Sequence, residues 1–158
     1  MAAFEMSWLT WLFGIDCEIL GSTIKKRSEI SKETGIYDLY SFIIQHNENC
    51  CIGNVVIDVY SHKPYRYLRV SGSKGNIEFD WVNNVVKTYN SNNLLIEAFK
   101  EENNVYQEGY TNFSTEKMYV DEISNFIESI SDFKLSKCFI DHDKKVLNLV
   151  SKIEEKKW

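Results

Sequence analysis

The sequence predicts an α+β fold: an open, mainly antiparallel β-sheet of about six to seven strands, with α-helices packed on one face. Three observations point there. Between residues 18 and 99, apolar and polar side chains alternate in seven short runs, the pattern of strands that turn one face to a core. The links between those runs are only a few residues long, too short for the helical crossovers that parallel neighbours need. Helical spacing of apolar residues is confined to the two ends of the chain.

The elements follow in order. Residues 5–13 place Met6, Leu9, Leu12 and Phe13 on one helical face, and Gly14 is a stop signal. This helix begins abruptly and reads as the end of a longer element. Strands are expected at 18–27, 36–46, 52–61, 65–71, 76–81, 84–89 and 94–99, in a meander. Pro64, the only proline, falls in a link, where its missing N–H does no harm. The stretch YRYLRVSGSKGNIEFDW from Tyr65 to Trp81 reads as a hairpin. In it Arg66, Leu68 and Val70 alternate with Tyr65, Tyr67 and Arg69, and Ile77, Phe79 and Trp81 alternate with Asn76, Glu78 and Asp80. Gly72 and Gly75 bracket the reversal, where positive φ is expected. Ser114 or Thr115 is placed to cap a helix running to Ile130, with Met118, Ile123, Phe126, Ile127 and Ile130 inward. Asp141 or Asp143 starts the last helix, striped by Val146, Leu149, Val150 and Ile153. With no repeats, low-complexity tracts or linkers, the whole of 1–158 is expected to be one domain.

If the three helices cover one sheet face, the other shows Asp38, Tyr40, Phe42 and Ile44 beside Val56, Asp58 and Tyr60. An open aromatic-bearing face of that kind meets a partner.

Composition bounds the function classes. Apolar residues are 44%, charged residues 26%, and the net charge is −5 with a pI near 5.3, so no basic field exists to hold nucleic acid or an anionic membrane. The longest apolar run, 8–15, is interrupted by Thr10 and Gly14 and is too short to span a bilayer. No leader pattern is present, and a cytoplasmic location is expected. Cys17, Cys50, Cys51 and Cys138 form no zinc spacing and are expected to be reduced thiols.

Few residues offer chemistry. Gly72 and Gly75 join two strands, whereas a dinucleotide fingerprint opens a helix after a strand. Asp141-His142-Asp143 reads as a helix start, and His46 and His62 have no carboxylate or thiol at ligand spacing; no metal site is expected. Asp58, Tyr60, His62, Lys63 and Arg66 gather around a strand end and a short corner. They are the candidate substrate-binding cluster, suited to a polyhydroxylated ligand or a subunit partner.

Four motifs, in order and over almost the whole chain, resemble the carboxy-terminal domain of the Gfo/Idh/MocA oxidoreductases. FEMSWLTWLFG from Phe4 to Gly14 resembles that family's H-E-[IL]-D-x-L-x-W-L-x-G helix. GNVVIDVYS from Gly53 to Ser61, followed by Arg66, resembles its G-x-[LIV]-x-x-D strand and subsequent arginine. LRVSGSKGNIEFD from Leu68 to Asp80 resembles its [LI]-x-[IV]-x-G-x-x-G-T-[IL]-x-x-D hairpin, and Tyr119, Glu122, Ile123, Phe126 and Ile127 match a terminal helix. The resemblance implies an open sheet used for substrate binding and subunit pairing. It also implies hydride transfer between NAD or NADP and a sugar or polyol, on a cofactor held by an amino-terminal dinucleotide-binding domain. Neither that domain's glycine fingerprint nor its E-K-P lysine occurs here. The family's histidine and aspartate on the opening helix correspond to Phe4 and Ser7; phenylalanine cannot exchange a proton and serine is a poor acid or base. No catalytic residue is therefore assigned, and no cofactor is expected to bind this chain alone.

Three functions are compatible with these residues. The chain is expected to be the substrate-binding and subunit-association domain of an NAD(P)-dependent sugar oxidoreductase, without activity by itself. The alternatives are a stand-alone carbohydrate-binding or scaffold module, and a partner that completes an oxidoreductase in trans.

Overall fold

The structure is a computed structural model of the 158-residue chain, and it describes residues 2–48, 50–63, 65–100, 116–132 and 140–155. Its elements run α1 (Ala2–Phe13), β1 (Cys17–Lys25), α2 (Glu29–Thr34), β2 (Leu39–His46), β3 (Cys51–Asp58), β4 (Tyr67–Gly72), β5 (Gly75–Asp80), β6 (Val85–Asn90), β7 (Leu95–Lys100), α3 (Glu116–Ser131) and α4 (Ile140–Glu155). All seven expected strands are present and every pairing is antiparallel. They form two ladders, β1-β2-β3 and β4-β5-β6-β7, divided at the segment that contains Pro64. The chain clusters accordingly into two compact units, Met1–Ser61 with Lys137–Trp158, and His62–Ser136.

The first unit holds the core. Ala2 and Met6 of α1, Ile19 and Ile24 of β1, Tyr40, Phe42 and Ile44 of β2, Ile57 of β3, and Val146, Leu149 and Ile153 of α4 form one buried cluster. The last helix therefore buries the expected stripe. In α1 the buried positions are Ala2, Met6, Leu9 and Thr10, while Leu12 is exposed, so the inward face is turned toward Thr10. Thr10 Oγ1 donates to Met6 O at 2.7 Å and lies 3.1 Å from His142 Nε2. With its single proton committed, the hydroxyl accepts from the imidazole N–H and ties α4 to α1. Ser22 Oγ donates to Ile153 O in the same way, linking α4 to β1.

The face assignment on β2 is the reverse of expectation. Tyr40, Phe42 and Ile44 are buried beneath the helices, and the outward face carries the cross-strand pairs Leu39–Asp58, Ser41–Val56, Ile43–Asn54 and Gln45–Ile52. A strand's side chains alternate, so one residue of slip inverts the whole face. In β1 a bulge between Ile19 and Gly21 inserts one residue, which keeps both Ile19 and Ile24 inward although their spacing is odd.

α2 lies within the expected loop between the first two strands. Its signals are local: Ser28 accepts from Ser31 N–H at the start, and Gly35 at φ 76° closes the end.

The second unit is a four-stranded meander with α3. Gly72 pairs with Gly75, so Ser73 and Lys74 make the reversal. The positive φ falls at Gly75 alone of the two glycines, at 148°. A Cβ there would lie 1.9 Å from Tyr89 O on β6, so both backbone freedom and close approach require glycine. Asn84 and Asn93, with φ of 51° and 60°, turn the next two links, as asparagine does most readily among side-chain-bearing residues. The expected inward stripe of α3 is exposed at Ile123, Phe126, Ile127 and Ile130; the Met118 side chain and the capping positions Ser114 and Thr115 lie outside the described residues.

Candidate functional site

Asp58 ends β3 and its side chain stands on the outward face. The Arg27 guanidinium donates to Asp58 Oδ1, and the same oxygen accepts from Tyr60 N–H at 3.0 Å. The Tyr60 ring lies 5.8 Å from Arg27 Cζ, at cation–π range. Beneath this surface pair sits Asp38, almost fully buried. It accepts from Arg27 N–H at 2.8 and 3.0 Å and from Ser28 N–H at 2.7 Å, with Arg27 Nε 3.9 Å away. Desolvation raises the pKa of this carboxyl, but the Ser28 and Arg27 N–H bonds, the Ser28 hydroxyl and the guanidinium outweigh it and bring it down to about 2. Arg27 is thus gripped from below by a carboxylate that stays ionised, and it offers its outer edge to Asp58 and Tyr60.

Sequence reasoning named Asp58 and Tyr60 for the cluster, did not name Arg27, and put Asp38 on the open face, whereas Asp38 is buried. The missed signal is weak: an arginine just past a strand and an aspartate just before the next become neighbours only once β1 pairs with β2. His62 and Lys63 are exposed residues of the segment after Tyr60, and they belong, with Arg66, to the second unit. There the Arg66 guanidinium covers the Trp81 indole at 4.4 Å. Asp58 and Tyr60 thus gather about Arg27 in the first unit, and Arg66 stacks on Trp81 in the second.

A second polar patch lies in the other unit. Tyr67, Glu78, Asp80, Asn83, Val85 and Lys87 line a shallow pocket on one face of the meander. Desolvation and the hydrogen bond to Glu78 raise the Tyr67 pKa, whereas Asn83 lowers that of Asp80 by donating its amide and backbone N–H. Arg69 Nε is 3.9 Å from Glu78. These groups are engaged with one another, as in a satisfied sheet surface.

On α1, Phe4 is exposed and Ser7 O accepts from Thr10 at 3.0 Å. Among the described residues no group of three or more His, Cys, Asp or Glu is arranged to hold a metal, and Cys17, Cys50 and Cys51 are in no disulfide; Cys138 lies outside the described residues. No described helix is long and apolar enough to cross a membrane. The described sheets are purely antiparallel, and the one G-x-x-G turn closes a hairpin. That hairpin is not the turn between a strand and a helix N-terminus that the dinucleotide fingerprint forms.

No family model matches the sequence, and no curated protein matches it. Solved structures do. The UDP-N-acetylglucosamine 3-dehydrogenase GnnA of Acidithiobacillus ferrooxidans aligns over 99% of this chain and 45% of its own length, with a TM-score of 0.71 and 15% identity. A dehydrogenase (MviM) of Clostridium difficile aligns over 97% and 45%, with a TM-score of 0.68 and 15% identity. An inositol dehydrogenase homologue of Azotobacter vinelandii, solved with NAD+, aligns over 100% and 46%, with a TM-score of 0.64 and 10% identity. The chain thus has a fold found within dehydrogenases of the Gfo/Idh/MocA type, and it spans less than half the length of these structures.

Proposed function

We propose that this chain is the substrate-binding and subunit-association part of an NAD(P)-dependent sugar or polyol oxidoreductase, inactive by itself. A dinucleotide-binding domain, supplied in cis or in trans, would provide the cofactor and the hydride chemistry. The observation that carries the reading is the match of nearly all of this chain to less than half of each dehydrogenase. The antiparallel topology of the described sheets agrees with it. Asp58, Tyr60, His62, Lys63 and Arg66 are assigned to the substrate, as hydrogen-bonding groups for hydroxyls. The outward face of β1-β2-β3, where Ile52 and Val56 are more than 60% exposed, is assigned to self-association. A cytoplasmic location accords with this role.

The test is reconstitution. The purified chain is expected to show no NADH binding by calorimetry, and mixing it with a separately produced dinucleotide-binding half should yield sugar-dependent reduction of NAD(P). In that pair Arg66→Ala is expected to raise KM for the sugar about tenfold, a loss of about 1.4 kcal/mol. NADH binding by the chain alone, or a folded, associated pair without activity on any sugar or polyol, overturns the reading. Phe4 and Ser7, at the positions of the family's histidine and aspartate, favour a second reading as a non-catalytic carbohydrate-binding module. That reading requires sugar binding by the chain alone, together with a silent reconstituted pair.

A further inference from the structure

The Arg27–Asp58 pair is held more firmly than the helix pairs Lys32–Glu29 and Lys144–Asp141. Those join residues three apart, with side chains 54–92% exposed, and such pairs lose side-chain entropy to hold any one geometry. Arg27 is fixed at its backbone, whose N–H donates to buried Asp38, and its Nε lies 3.9 Å from the same carboxylate. Asp58 is fixed by Tyr60 N–H at 3.0 Å. The Arg27 and Asp58 side chains are 39% and 36% exposed, so a solute can reach both. The contact between them engages only Nη2 and Oδ1. Among the described residues, no hydrogen bond reaches Asp58 Oδ2 or the two Nη1 protons of Arg27. The Tyr60 ring, more than half exposed, stands 5.8 Å from Arg27 Cζ. An open acceptor, an open donor and an aromatic ring therefore meet at one corner of the first sheet.

We propose that Arg27 and Asp58 form a clamp for an uncharged vicinal diol: Asp58 Oδ2 accepts from one hydroxyl of the ligand, Arg27 Nη1 donates to the adjacent hydroxyl, and the C–H face of a sugar lies on Tyr60. A hydroxyl both donates and accepts, whereas a carboxylate only accepts and a guanidinium only donates. Two adjacent hydroxyls therefore satisfy the pair together, and a single hydroxyl satisfies only half of it. Asp38 and Asp58 already neutralise the guanidinium, so the atoms left over need hydrogen-bond partners and not a counter-ion. Hydrogen bonds to ionised groups are the strong ones, and groups held in place before the ligand arrives lose little side-chain freedom on binding. This inference rests on the reading of Asp58 and Tyr60 as substrate groups, and it adds Arg27 to them as the donor that sets the class of ligand. The clamp draws on the first unit alone, and Arg66 takes no part in it.

The test is a nuclear magnetic resonance titration of the full nitrogen-15-labelled chain with D-mannose, D-galactose and D-mannitol, and with cyclohexanol, a six-membered ring that carries one hydroxyl. The Arg27 Nε–H signal is assigned by its loss in Arg27→Lys, and the Tyr60 amide, which donates to Asp58, reports the pair in every variant. Saturable shifts of both signals are expected with at least one of the polyols, and none with cyclohexanol. Arg27→Lys and Asp58→Asn, each confirmed as folded by its thermal melt, are expected to weaken that binding about fivefold or more at the Tyr60 amide. No shift with any of the three polyols overturns the clamp, as does an equal response to cyclohexanol or an affinity that either substitution leaves unchanged. Sugar-dependent activity in the reconstituted pair that falls with Arg66→Ala but not with Arg27→Lys would keep the substrate-binding reading and overturn the clamp. A silent pair beside saturable, Arg27-dependent polyol binding would do the reverse.

Discussion

Asp38 shows how a single carboxylate organises the outer end of the first sheet. Its oxygens collect the N–H groups of Arg27 and Ser28, and Ser28 in turn caps α2, so one ionised side chain holds the β1–α2 corner and positions the arginine that meets Asp58. Its folded pKa, about 2, lies below the ordinary 3.8. Between those values the unfolded chain binds more protons, so the contribution is present above pH 4 and is lost as pH falls toward 2. Asp38→Asn is expected to lower the melting temperature at neutral pH and to flatten this acid limb in thermal melts from pH 5 to 2. Tyr40 gives the opposite window. Burial first, and then the Glu154 carboxylate that accepts from its hydroxyl at 3.2 Å, push its pKa to about 12 from 10. The unfolded phenol ionises first, so this stability is present below pH 10 and is lost between 10 and 12. Tyr40→Phe should remove that alkaline loss, read as a smaller fall in denaturation midpoint across the window than in the wild type.

At the scale of elements, the hairpin of β4 and β5 was legible because alternation and two glycines specify it locally. What the pattern leaves out is the third strand: Gly75 is required chiefly by Tyr89 O on β6. Gly75→Ala is expected to destabilise the chain by about 2 kcal/mol or more, seen as a lowered midpoint in urea, whereas Gly72→Ala, with its nearest new contact at 3.9 Å, should change it little. β2 makes the complementary point. Its alternation was plain, but alternation says nothing about which side is inward; the answer came from α1 and α4 packing on Tyr40, Phe42 and Ile44. Phe42 is 2% exposed, and Phe42→Ala is expected to cost about 3–5 kcal/mol in equilibrium unfolding. α2 was legible in principle from Ser28 and Gly35, but its six residues are too few to show a helical repeat.

Across the whole molecule, burial is divided unevenly. The first unit carries a sheet roofed by two helices, and the second carries strands whose described side chains are intermediate or exposed, none of them fully buried. Local opening follows such differences. Amide exchange of the dilute chain should be slowest at the β2 residues Phe42 and Ile44 and fastest in β7, where every residue is exposed; uniform protection through both sheets would contradict this.

Local chemistry in the sequence was enough to determine the seven described strands, their antiparallel pairing and the stripe of α4. Each of these depends on neighbours a few residues apart, through side-chain alternation, short links and glycine placement. Tertiary structure decided the inward face of β2, the division into two ladders, and the grip of Asp38 on Arg27. Those depend on residues far apart in the chain, and a period of two is satisfied equally well by either face until the helices choose one.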